Sequence, residues 1–112
     1  MGIWTRGRFC GAIGLHRFDL IHRSTSIGYW IDEEYSRRGI MTSACRLMVS
    51  EGFQKYGLNR IEIRCATGND RSCAIPRRLG FREEGRLREA EWLYDHWVDL
   101  RVFAILRREW IG

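Results

Sequence analysis

One long run with the period of a helix lies between two strand-like segments, and it constrains this chain more than any other feature. From Gly39 to Tyr56 the apolar residues Ile40, Met41, Ala44, Cys45, Met48, Val49, Phe53 and Tyr56 recur mostly three and four positions apart, and Gly57 ends the run. Before it, Ser24 to Ile31 (STSIGYWI) is apolar, β-branched and aromatic. After it, Asn59 to Ala66 (NRIEIRCA) alternates Ile61, Ile63 and Cys65 against Arg60, Glu62 and Arg64. A helix of about five turns joining two strands of one sheet makes a right-handed crossover, so the class is mixed α/β.

The remaining segments build outward from that unit. Arg8 to His16 (RFCGAIGLH) reads as a strand paired with Ser24 to Ile31 across the polar stretch Arg17 to Arg23. A short helix is predicted from Asp70 to Leu79, with Asn69 as its N-cap and Gly80 as the left-handed residue that ends it. Pro76 falls inside this helix and cannot donate to the carbonyl of Ser72, so a kink or an open carbonyl is expected there. Phe81 to Trp92 and His96 to Leu106 read as a final hairpin turning at Tyr94 and Asp95. The predicted order is β-β-α-β-α-β-β, an α+β mixed sheet in a single domain over residues 1–112.

The 112 residues, 45% of them hydrophobic and 29% charged, describe a globular domain with a core. No stretch approaches the ~20 apolar residues of a membrane span, and Met1 to Cys10 lacks the apolar segment of a signal peptide. The expectation is a soluble, unexported, cytoplasmic protein. Cys10, Cys45, Cys65 and Cys73 form no C-x-x-C pair and lie among apolar neighbours, as small buried thiols do in a reducing compartment. His16, His22 and His96 supply no tight ligand pair, so no metal is expected. The formal charge is +5, and only Lys55 among the basic residues is not arginine. Anionic partners fit this balance, as does a compositional bias toward arginine.

The segment Tyr29 to Thr42 (YWIDEEYSRRGIMT) runs from a strand through adjacent arginines into a helix. A helix N-terminus presents unpaired amides and about half a positive charge, and Gly39 allows a phosphate to approach the main chain. The same residues equally describe an ordinary connection with solvated arginines. They form neither a Walker loop nor a dinucleotide fingerprint. Asn69-Asp-Arg-Ser72 caps the short helix by its chemistry alone. Glu89 and Glu91, two apart on a strand, are predicted to share a face, either as candidate bases or as rim carboxylates paired with Arg86 or Arg88.

The blocks IGLH (Ile13 to His16), IGYWID (Ile27 to Asp32), RRGIMT (Arg37 to Thr42), GLNRIEIRCATGNDRSCAIPRRLGF (Gly57 to Phe81) and EGRLREAEW (Glu84 to Trp92), followed by Val98 and Asp99, resemble the GNAT N-acetyltransferase superfamily. The likeness is to its RimJ/RimL-like branch, which modifies ribosomal-protein N-termini and other amines. It implies the acyl-CoA N-acyltransferase fold with acetyl-CoA as cosubstrate. The loop before Gly39 is then the pyrophosphate cradle, made by Arg37, Arg38, Gly39, Ile40, Met41 and Thr42. Ser36 and Met41 depart from the usual Gln/Arg-x-x-Gly-x-Gly/Ala pattern, the methionine being common in this branch. The resemblance sets Asn69 and Arg71 on the pantetheine arm and Ser72 beside the thioester sulfur. Ser72 is the proton donor because Pro76 stands where many relatives carry a tyrosine. Glu91 is the base. The strand carrying Trp30 splays from its neighbour, so that main-chain groups at Trp30 and Ile31 bind pantetheine and polarise the acetyl carbonyl.

These residues imply an N-acetyltransferase that moves acetyl from acetyl-CoA to a primary amine, foremost a protein N-terminal amine, by direct attack. A polyamine or aminoglycoside acceptor, a catalytically silent CoA-binding fragment and a basic nucleic-acid-binding module are the alternatives. The last is disfavoured because the arginine pairs fall on different elements. The strand and two helices with which the family begins are not recognisable ahead of the IGLH strand. Their absence leaves apolar sheet uncovered and predicts a homo-oligomer, most simply a dimer, with Ile3-Trp4 as a strand stub for pairing between chains.

Overall fold

The computed structural model describes residues 2–5, 8–31 and 39–111. Its elements are β1 (Gly2–Thr5), β2 (Arg8–Asp19), β3 (Ser24–Ile31), α1 (Ile40–Gln54), β4 (Arg60–Ala66), α2 (Asp70–Arg78), β5 (Arg82–Leu93), β6 (His96–Leu106) and a closing 3-10 turn, Arg107–Glu109. One sheet holds the strands in the order β1-β2-β3-β4-β6-β5. The β3–β4 pair joined by α1 is parallel and the other neighbours are antiparallel, as a helical crossover flanked by hairpins requires.

Two boundaries differ from expectation. The Ile3-Trp4 stub is a strand of the chain's own sheet, with Gly2 opposite Ala12 and Thr5 opposite Arg8. Strand β2 continues past His16 to Asp19 through an irregularity in its pairing with β3, where Arg17 takes a positive φ of 50°.

Side-chain alternation gives the sheet two unlike faces. Ile13, Ile27, Ile61, Ile63, Phe103 and Ile105 are buried in one cluster with Met41, Cys45, Val49 and Phe53 of α1 and Cys73, Ile75 and Leu79 of α2. Both helices therefore cover the same face. Each such buried Ile, Val or Phe contributes roughly 1.5–3 kcal/mol of gross hydrophobic stabilisation. The opposite face carries Arg60, Glu62 and Arg64 of β4 in a charged row. Arg60 reaches Glu62 at 2.7 Å and Glu84 at 2.8 Å, and Arg64 meets Glu62 at 3.1 Å. Burial would raise the Glu62 carboxyl, but the hydrogen bonds from Arg60 and Arg64 outweigh it and hold the group below the usual carboxylate range.

Pro76 shapes α2 as predicted. The carbonyl of Ser72, which residue 76 would normally engage, instead accepts the Tyr29 hydroxyl at 2.8 Å, with the Cys65 thiol at 3.7 Å. Asn69 accepts the Ser72 amide at 3.0 Å, the cap expected of it. At the other end Phe81 N–H bonds Pro76 O at 2.9 Å and Gly80 N–H bonds Arg77 O at 3.2 Å, with Gly80 at φ 85°, a Schellman ending.

Strand β5 departs from the alternation expected of it. Leu87 faces Leu100 and Glu91 faces Val98, so residues 88–90 stand opposite Asp99 alone. Glu89 lies in this bulge with φ 46°, and its face cannot be inferred from that of Glu91. The Asp99 carboxylate latches the bulge. It accepts the Glu89 amide at 2.8 Å and the Arg86 guanidinium at 3.0 and 2.9 Å, so Arg86 is engaged there.

Two outcomes follow from these contacts. Tyr29→Phe strands the Ser72 carbonyl and should cost about 1–2 kcal/mol in urea unfolding with an unchanged slope; an unchanged midpoint would show that water replaces the hydroxyl. The Glu89 amide, then Arg86, holds Asp99 below the ordinary carboxylate range. Its contribution is therefore complete above the unfolded value, about pH 4, and is lost as pH falls through the depressed value. Asp99→Ala should remove hydrogen-exchange protection of the Glu89 amide at neutral pH. Protection as strong as in the wild type would show that the latch does not hold the bulge.

Candidate active site

The parallel ladder between β3 and β4 runs from Ser24 opposite Arg60 to Ile27 opposite Ile63 and extends no further in the register. Both strands continue. Trp30 and Ile31 stay paired with Ala12 and Gly11 of β2, while Arg64, Cys65 and Ala66 stay paired with Val102, Arg101 and Leu100 of β6. Each strand thus keeps its outer neighbour while their inner edges part. A cleft opens through the sheet, and Trp30 and Ile31 flank it.

Ser72 lies on the helix-covered side. Asn69 holds its amide, Tyr29 donates to its carbonyl, and its hydroxyl lies 3.5 Å from the Tyr29 oxygen. Burial pushes the Tyr29 phenol well above its ordinary value, so it stays protonated and serves as a donor. Burial likewise pushes the Cys45 and Cys65 thiols up to about 12. Cys45, Cys65 and Cys73 are free and buried, as expected; Cys45 and Cys65 are protonated near neutral pH and so are not poised nucleophiles. The side chain of Cys10 is outside the described residues. Arg71 sits exposed in the first turn of α2.

Glu91 lies on the opposite face. It lines a pocket of about 360 Å³ with His16, Arg17, Ser26, Ile27, Gly28, Arg64 and Leu100. Ser72 and Glu91 are thus brought to the two sides of one sheet rather than into contact, with the β3–β4 cleft between their faces. Tyr29, His16 and Arg64 were not singled out as site residues from sequence. The signal for them was strand parity, which turns Tyr29 toward Ser72 and turns His16 and Arg64 toward Glu91.

Helix α1 begins immediately after Gly39, which takes φ 70° with nothing within 4 Å of where a Cβ would stand. The first turn of α1 contains no acidic residue, and no side chain caps it among the described residues. The amides of Ile40, Met41 and Thr42 thus meet no carboxylate from their own turn, and this end of the helix suits an anion such as a pyrophosphate. Arg37 and Arg38, predicted to join them, lie outside the described residues, as does Ser36.

Residues 2–82 match the family described as Acetyltransferase (GNAT) domain. The chain is 41% identical over 111 residues to the Bacillus subtilis (strain 168) protein named "Putative ribosomal N-acetyltransferase YdaF", covering 99% of this chain and 61% of that protein. It is 31% identical to the ribosomal-protein-serine acetyltransferase of Escherichia coli K12, covering 91% and 57%. The solved structure of RimL, a ribosomal L7/L12 alpha-N-protein acetyltransferase in complex with coenzyme A, superposes with a TM-score of 0.86 at 27% identity, over 94% of this chain and 59% of that one. A spermidine N(1)-acetyltransferase of Escherichia coli K12 is also similar, 30% identical over 72% of this chain and 44% of that protein. The chain spans about three-fifths of the length of the first two relatives. With its splayed parallel pair and the glycine-led helix that follows, the chain belongs to the GNAT acetyltransferase domain family.

Proposed function

We propose that this chain is an acetyl-CoA-dependent N-acetyltransferase domain whose acceptor is a primary amine, in the first place the N-terminal amine of a protein. The observation that carries this reading is the cleft beyond Ile27 and Ile63, with Ser72 on one face of the sheet and the Glu91 pocket on the other. The names of the ribosomal relatives and the coenzyme A bound by RimL support the acceptor and the cosubstrate. A ribosomal-protein acceptor, taken from the names of those relatives, supports a cytoplasmic location in this reading. The name of the spermidine relative favours a polyamine as the second acceptor class.

In this reading Gly39 and the amides of Ile40, Met41 and Thr42, with Arg37 and Arg38, hold the pyrophosphate. Main-chain groups of Trp30 and Ile31 bind the pantetheine arm, together with Asn69 and Arg71. Acyl transfer needs an unprotonated amine, so Glu91 removes a proton from the acceptor ammonium, directly or through water. The amine nitrogen attacks the thioester carbonyl, and the leaving thiolate takes a proton from Ser72. No cysteine takes part, which fits the high-lying thiols of Cys45 and Cys65.

A dimer completes the reading. Both helices lie on one face, and the other exposes Trp30 by 51% and Leu87 by 37%. A second copy that covered ~800 Å² of this face would form an interface of standard size and supply a wall for the acceptor.

One series of variants tests the site. Gly39→Asn and Gly39→Asp both tolerate a left-handed position, so their difference reports charge. Calorimetric titration should show CoA affinity near wild type for the first and at least roughly 10-fold weaker for the second. Ser72→Ala should lower kcat by roughly 10²-fold on a serine-terminated peptide amide or spermidine, with CoA affinity nearly unchanged, and Glu91→Gln should remove the acidic limb of the rate profile. Equal CoA affinity for Gly39→Asp, or wild-type turnover by both catalytic variants, would sink the corresponding assignments. CoA binding without turnover of either amine would favour the silent fragment. Sedimentation equilibrium at micromolar concentration should show a dimer, and a well-folded monomer refutes that part.

A further inference from the structure

The pocket on the open face contains a second group able to carry a proton. Five strands contribute to it: β2 through His16 and Arg17, β3 through Ser26, Ile27 and Gly28, β4 through Arg64, β5 through Glu91 and β6 through Leu100. Of the groups that line it, Arg17 and Arg64 stay charged at any working pH, and Arg64 is paired with Glu62 at 3.1 Å. The Ser26 hydroxyl exchanges no proton near neutrality. Glu91 and His16 are the titratable pair.

Two main-chain features place His16 on the strand, and one contact places its imidazole. Its main-chain carbonyl accepts the hydroxyl of buried Thr25 at 2.8 Å. Its pairing with Ser26 is the last regular one before the irregularity toward Asp19, so the strand bends immediately after it. Its ring lies over Gly28, where a Cβ would stand 2.5 Å from Nε2 and 2.6 Å from Cδ2. Any larger residue at position 28 would have to displace the imidazole, so Gly28 provides the space that the ring fills.

We propose that His16 is the proton relay of the acceptor pocket, a role that rests on the acetyltransferase reading and extends it. The proton that leaves the acceptor ammonium for Glu91 passes, through water, to Nε2 of His16, whose exposed ring releases it to solvent. The nitrogen lone pair so freed forms the amide bond to the acetyl carbon while the carbon–sulfur bond breaks; the sulfur takes its proton from Ser72, the nitrogen sheds its second proton to water as the amide forms, and water restores the Ser72 hydroxyl. A carboxylic acid is a stronger acid than an imidazolium, so a proton passes from the first to the second in the required direction.

The test uses the whole chain with acetyl-CoA and either spermidine or a serine-terminated peptide amide. His16→Ala should lower kcat roughly 10-fold at pH 7, the deficit should shrink toward pH 9, and added imidazole should restore part of the rate. Wild-type rates in His16→Ala, or a deficit that imidazole does not relieve at any pH, would overturn the relay alone. A wild-type chain that acetylates neither amine would overturn the acetyltransferase reading and the relay with it.

Discussion

The parallel pairing of β3 with β4 lasts for four residue pairs and then ends, and the rest of the site depends on that limit. A parallel ladder carried to the ends of both strands would close the sheet and seal one face from the other. The strands can part because each is held on its far side, β3 by β2 and β4 by β6. Their apolar faces remain anchored to the helices through Ile27, Ile61 and Ile63, which are fully buried below the opening. The parting of the strands is thus held from both sides, with hydrophobic burial concentrated where they still pair.

Much of this was legible because burial imposes periodicity. The three-and-four spacing of Ile40 to Phe53 and the alternation of Ile61, Ile63 and Cys65 predict α1 and β4 nearly to the residue, since each must present one apolar side to the same core. The GNAT family, suspected from ordered blocks of residues, is the family to which the chain belongs. What periodicity could not show is where a ladder is interrupted. The bulge opposite Asp99 and the irregularity after His16 depend on single side-chain-to-backbone bonds, from the Glu89 amide to Asp99 and from Thr25 to the His16 carbonyl, which leave no repeating trace. Strand β1 is four residues long, too short for a pattern to distinguish it from a loop. The same limit applies to the Glu89 and Glu91 pair, whose shared face was expected from an alternation that the bulge interrupts.

The two faces of the sheet offer different environments for the two halves of an acyl transfer. On the helix side the groups near Ser72 are buried, and the Tyr29 phenol and Cys65 thiol are both raised by desolvation, so charge is disfavoured there until it forms on a leaving sulfur. On the open side the carboxylate, imidazole and guanidinium groups meet water, so charge is tolerated there. In the proposed reaction, separation by one sheet would keep the proton leaving the amine distinct from the proton given to the thiolate.

Pro76 links these observations. A residue at that position with an amide would bond the Ser72 carbonyl and complete the helix; proline leaves that carbonyl free inside the protein, where an unmet acceptor costs about 1–3 kcal/mol. Tyr29 meets it from β3, and in doing so its hydroxyl proton is committed to a backbone oxygen. The Tyr29 phenol is raised by burial and already engaged as a donor. The hydroxyl of Ser72 lies 3.5 Å from that phenol, with the serine's amide and carbonyl both pinned. Ser72, the acid of the proposed reaction, is thus held in place by the consequences of the same proline.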